Sequence, residues 1–125
     1  MQRLPGTGKE IRARVPAALE AYEFARDNVL LGGVADADVK RLCYRYLADP
    51  DAVEFDAYGG RERAALEWAR AIAWDSELAD DALWDRLHKL FSEPELVELG
   101  CAIGFALGQQ HWERTVGLPA QTGLS

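Results

Sequence analysis

The chain has 125 residues, 49% hydrophobic and 28% charged, which is enough apolar content for one buried core and too much for a disordered chain. Twenty-one acidic residues against fourteen basic ones leave a formal charge of -7, which argues against the clustered cationic surface that nucleic acid or an anionic membrane requires. No apolar run approaches the roughly 18 to 20 residues of a membrane-spanning helix, and Met1 to Pro5 lack the apolar stretch of a signal peptide, so a cytoplasmic location is expected.

Residues 1–9 read as a flexible N-terminus, 10–118 as a single helical domain and 119–125 as a flexible C-terminus. The segment Leu4-Pro5-Gly6-Thr7-Gly8-Lys9 mimics a phosphate loop but fails it twice. Arg3 stands where the first glycine is due, and Glu10 where a magnesium-binding hydroxyl is due. From Glu10 to Leu31, Ile11, Val15, Ala18, Leu19, Tyr22, Ala25 and Val29 recur at helical intervals; Pro16 divides the run and Gly32-Gly33 ends it. Asp36 caps a second helix, whose stripe is Val39, Leu42, Cys43, Tyr46 and Leu47 and whose stop is Asp49-Pro50.

A loop to Gly60 precedes a third, amphipathic helix over 61–74, with Ala65, Trp68, Ala69 and Ile72 on its inner face. A fourth follows over 80–91, with His88 on its outer side. Ser92-Glu93-Pro94-Glu95 has the form of a capping box and opens the last helix, 93–116. Apolar residues from Leu96 to Leu107 encircle that helix, which predicts burial on all sides. Gly100, Gly104 and Gly108 line one of its faces, each at up to about 1 kcal/mol of helix propensity, so close approach of another helix, a ligand or a subunit is expected there. The class is all-α, with five or six helices and no strand-like alternation.

Cys43 and Cys101 each sit inside an apolar helical pattern, the usual place for a reduced, buried thiol. With His88 and His111 they form no chelating interval, so no metal is expected. His111 is the more interesting histidine because Gln109-Gln110-His111-Trp112-Glu113-Arg114 is a polar cluster closing an apolar helix. An imidazole there is a candidate acid or base; the plainer reading is that the cluster caps the rim of the core. Four tryptophans, Trp68, Trp74, Trp84 and Trp112, serve a core or an interface, with Trp74 suited to a pocket edge.

The run Arg61-Glu62-Arg63-Ala64-Ala65-Leu66-Glu67-Trp68-Ala69, then Asp80-Asp81-Ala82-Leu83, then Phe91-Ser92-Glu93-Pro94-Glu95-Leu96-Val97-Glu98-Leu99, is similar to the C-terminal half of the alkyl hydroperoxidase D and carboxymuconolactone decarboxylase superfamily. Upstream, Leu31-Gly32-Gly33-Val34, Val39-Lys40-Arg41-Leu42 and Tyr46-Leu47-Ala48 resemble its first helix pair, so the likeness covers most of Pro16 to Leu118. It implies an alkyl hydroperoxidase D-like helical bundle and assembly as a homo-oligomer, a trimer or hexamer.

Peroxidases of this family carry a Cys-x-x-Cys after the second helix with a histidine four residues on, because an attacking thiolate needs a resolving partner within reach. Here that stretch reads Asp49-Pro50-Asp51-Ala52-Val53-Glu54-Phe55, and the family's relay glutamate falls at Arg41, a guanidinium that keeps its proton. The resemblance therefore implies a non-redox member that binds a small molecule or a partner through Gly104, Gly108, His111 and Trp112, without cofactor. One alternative is a single-cysteine alkyl hydroperoxidase-like antioxidant enzyme, with Cys43 or Cys101 as the thiol beside His111. Another is a small-molecule decarboxylase, a branch that uses no cysteine pair.

Overall fold

The computed structural model describes residues 1–119, so the tail expected over 119–125 lies outside the described residues from 120 onward. Six α-helices and no strand occur among the described residues: α1 (Gly8–Ala13), α2 (Pro16–Ala25), α3 (Ala37–Ala48), α4 (Gly60–Trp74), α5 (Asp81–Leu90) and α6 (Glu93–Val116). A π-helical turn, Arg26–Leu30, extends α2, and short 3-10 turns follow α3 and α4.

Local chemistry explains most boundaries. The Thr7 hydroxyl accepts from Glu10 N–H while Glu10 reaches back to Thr7 N–H, which starts α1 two residues earlier than the apolar pattern predicts. Pro16 divides the first run as expected, since it starts α2 at a position where its missing N–H costs nothing. Asp36 caps α3 through the amides of Asp38 and Val39, Asp80 caps α5 through Leu83, and Ser92 with Glu95 forms the capping box of α6. Gly117 ends α6 at φ 91°, a left-handed conformation that suits glycine.

The core lies between α3, α4, α5 and α6. Tyr44, Leu47, Leu66, Leu87, Leu99 and Ile103 are fully buried there, and the Tyr44 hydroxyl donates to Leu30 O at 2.8 Å. Trp68 joins this core edge-on to Trp84, whereas Trp74 stays half-exposed against Tyr46.

α6 does not have the all-round burial its composition predicts. It packs on α3, α4 and the π turn, with α1 and α2 touching its C-terminal half, and one side of the helix stays uncovered. Val97 is therefore 67% exposed, and Cys101, Gly104, Gly108 and His111 lie on the same solvent side. Cys101, expected in the core, is correspondingly exposed, while Cys43 is buried.

One buried ion pair ties the fold together. Lys40, fully enclosed on α3, donates to Val29 O at 2.8 Å and Gly32 O at 2.6 Å, and its ammonium stands 2.7 Å from Glu98 on α6. Glu98 in turn accepts from the amides of Val34 and Ala35. The connection between the π turn and α3 is thus pinned at both ends by charge-assisted bonds, the stronger kind.

Candidate functional site

The polar cluster at the end of α6 separates by helical phase into three groups. Gln110 and Glu113 turn inward, Gln109 and Trp112 face α1 and α2, and His111 faces solvent. Part of the cluster serves the fold: Gln110 donates to Tyr44 O at 3.1 Å, and Arg114 donates to Leu47 O and Ala48 O at the C-terminus of α3. A cation at those carbonyls complements the helix dipole.

The remainder gathers around a residue that the apolar pattern does not single out. Arg12, on α1, is 93% buried. Its guanidinium lies 3.8 Å from the centre of the Tyr22 ring and 4.8 Å from that of Trp112. A desolvated cation–π contact of this kind is worth about 2 kcal/mol, and two help to hold a charge that burial would otherwise penalise. Arg12 donates to Gln109 Oε1 at 2.8 Å, while Glu113 stands 3.8 Å away, within ion-pair range but beyond a hydrogen bond.

Glu113 is itself almost fully enclosed. Burial pushes its carboxyl above the ordinary value and the Arg12 charge pulls only partly against it. Its Oε1 meets no hydrogen-bond partner among the described residues. Burial likewise raises the Tyr22 phenol, with Arg12 opposing.

Two cavities flank Arg12. The larger, about 540 Å³, runs between α1–α2 and α6 over Ile11, Val15, Ala18, Phe105 and Trp112. The smaller, about 340 Å³, lies against Lys9, Arg26, Glu113 and Leu118. Both fall within the size range of small-molecule sites, and the larger has the mostly apolar wall that such sites share.

The residues singled out in the sequence are dispersed. Trp112 lines the larger cavity, whereas His111, Gly104 and Gly108 lie on the neighbouring exposed face. A Cβ at Gly104 or Gly108 meets nothing within 4 Å, but one at Gly100 comes within 2.8 Å of the Trp68 ring, so only Gly100 is explained by packing inside the chain. Cys43 is sealed in the core, where burial pushes its thiol up to about 12. Cys101 borders a third hollow, about 410 Å³, with Trp68, Trp84 and His88. Ten residues of helix, about 15 Å of rise, separate Cys101 from His111, so the structure does not bring that thiol to the imidazole, and Cys43 is buried while His111 is exposed.

Sequence reasoning missed Arg12, Tyr22 and the inward turn of Glu113. The usable signals were that Arg12 follows Ile11 directly at the start of the apolar run, and that Glu113 lies three residues before buried Val116. Among the described residues no three His, Cys, Asp or Glu side chains converge to hold a metal ion, and no helix is long and apolar enough to cross a membrane.

Fold and cavity together define a helical protein with an arginine-floored apolar groove. In comparisons with known protein families, with characterised proteins and with solved structures, nothing matches the chain.

Proposed function

We propose that this chain is a non-redox, small-molecule-binding protein, a divergent relative of the alkyl hydroperoxidase D and carboxymuconolactone decarboxylase superfamily. One observation carries the binding reading: a buried guanidinium, held between two aromatic rings, lies at the wall of an apolar groove of about 540 Å³. Its aromatic contacts, the Gln109 bond and the Glu113 charge hold the cation in place, and the groove beside it has the size and apolar wall of a small-molecule site. The binding residues are then Arg12, Tyr22, Gln109 and Trp112, with Gly104, Gly108 and His111 on the face next to them.

The non-redox reading is supported by the two sulfurs, one sealed at Cys43 and one exposed at Cys101, both free and on different helices. Two-thiol reduction of a hydroperoxide needs a resolving sulfur within reach. The purified protein is expected to consume no cumene hydroperoxide with dithiothreitol above the uncatalysed rate; protein-dependent turnover refutes this reading.

Assembly as a trimer or hexamer belongs to the same proposal. Exposed Val97, Phe24 and Trp74, together with the open face at Gly104 and Gly108, support it. Sedimentation velocity at micromolar concentration tests it, and a monomer throughout would reject it.

A second reading is favoured by one observation, the exposed Cys101 in a hollow shared with His88. There the thiolate attacks a hydroperoxide O–O bond, giving a sulfenic acid and, after protonation, an alcohol; one external thiol then forms a mixed disulfide with release of water, and a second frees the cysteine and leaves as the external disulfide. Trapping of a sulfenic acid by dimedone in the wild type but not in Cys101→Ser supports it.

A further inference from the structure

The chemistry of the larger groove narrows what it can hold. The protein carries an excess of seven acidic groups, yet among the described residues no acidic side chain lines this groove, while two arginines, Arg12 and Arg14, do. The rest of its wall is apolar or aromatic apart from Gln109. Glu113, which balances Arg12, lines the smaller cavity and not this one.

Among the described residues the Arg12 side chain makes one hydrogen bond, to Gln109. Its fork has five N–H donors; Gln109 takes one at 2.8 Å, and Glu113 at 3.8 Å is too distant to accept a bond. A planar guanidinium favours an oxyanion that accepts two parallel bonds, and the Tyr22 and Trp112 rings shield much of this one from solvent. Arg14, exposed at the C-cap of α1 and bonded to Pro5 O, adds a second positive charge to the groove.

We propose that the groove between α1–α2 and the end of α6 binds an amphiphilic monoanion, an apolar aromatic or aliphatic body bearing one carboxylate, with the carboxylate at Arg12 and the body along Val15, Ala18, Phe105 and Trp112. This rests on the small-molecule reading above and adds the sign of the charge and the orientation. The walls supply dispersion and apolar burial for the body, and Arg12 selects the head. A neutral isostere forfeits the charge-assisted bonds, and a cation meets two like charges.

The test uses three probes of one shape, 2-naphthoate, 2-naphthamide and 2-naphthylmethylammonium, titrated into the full-length protein and followed by calorimetry and tryptophan fluorescence. Naphthoate is expected to bind at least tenfold more tightly than either of the others, with an affinity that falls as sodium chloride is raised. Ala18→Phe, at an exposed position of α2, is expected to abolish naphthoate binding with helicity and particle mass unchanged. Arg12→Gln is expected to bring naphthoate and naphthamide to equal affinity. If that variant loses its helical signal, the wild-type comparison of the carboxylate and the amide still decides the matter.

Equal wild-type affinities for carboxylate and amide, both blocked by Ala18→Phe, overturn the anionic class and leave the small-molecule reading standing. Absence of binding by all three probes at millimolar concentration overturns both. A change of particle mass in Ala18→Phe overturns the proposal as well, because a second copy of the chain would then be the occupant.

Discussion

Replacing Lys40 with methionine removes one ammonium group from a fully enclosed position while keeping an apolar stem of similar length, so little cavity is created. The damage is electrostatic. Val29 O and Gly32 O lose donors at 2.8 and 2.6 Å, and Glu98 loses its counter-charge at 2.7 Å. Removing one partner of a buried pair typically costs about 3–5 kcal/mol. Glu98 keeps its bonds from the Val34 and Ala35 amides and retains some solvent contact, which places the loss near the lower end, about 3 kcal/mol. With an unfolding entropy of about 2.1 cal/mol/K per residue, this corresponds to a Tm lower by roughly 11 °C.

Thermal unfolding followed by circular dichroism reads that shift, and urea titration checks it. The double variant Lys40→Met, Glu98→Gln should be more stable than the sum of the single losses by at least about 1 kcal/mol, because the second change removes the stranded charge. The pH dependence provides an independent sign. Burial pushes the Glu98 carboxyl up, but bonds from Lys40 and from the Ala35 and Val34 amides outweigh it, and the net value lies below the ordinary 4.5. A carboxylate depressed by folding contributes stability that is complete above pH 4.5 and is lost as pH falls through the lower, folded value. Wild type should therefore lose stability over that acid window, and Lys40→Met should lose less. A Tm change under about 3 °C at pH 7, or an unaltered acid slope, would refute the assignment of Lys40 and Glu98 as the clamp between α3, α6 and the loop at Val34.

Three further outcomes follow from the same structure. Gly104→Ala and Gly108→Ala, with open space above each Cβ within the chain, should each stabilise by about 0.5–1 kcal/mol in urea unfolding at protein concentrations where sedimentation shows a monomer, whereas Gly100→Ala should destabilise because its Cβ comes within 2.8 Å of Trp68. Ellman's reagent should label one thiol rapidly in the native protein, Cys101, with Cys43 reacting only after denaturation; fast labelling of Cys101→Ser would contradict the sealed core. Ser92→Ala should cost about 1 kcal/mol by removing the hydroxyl that accepts from Glu95 N–H at the start of α6, a loss readable as a lower urea midpoint.

The helices and their ends were legible in the chain because their causes are local. A hydroxyl or carboxylate one residue before a helix, as at Asp36, Asp80 and Ser92, meets amides two or three residues on, and Pro16 interrupts a run wherever it stands. Burial was legible only where an element has neighbours on the side its pattern presents. The apolar ring around α6 could not reveal that α3, α4 and the π turn cover part of it, and so Val97 and Cys101 were misplaced.

The groove was less legible still. Arg12 and Glu113 are 101 positions apart and meet only because α1 folds back across the end of α6, where Tyr22 and Trp112 bracket the guanidinium. Sequence by itself determined the helical class, the caps at Asp36 and Ser92 and the want of a Cys-x-x-Cys, since each is a property of neighbouring residues or of composition. Tertiary structure alone decided which charges are buried, which thiol is open and where an apolar hollow meets a cation. Those depend on distances between helices, and no periodicity along one helix records them.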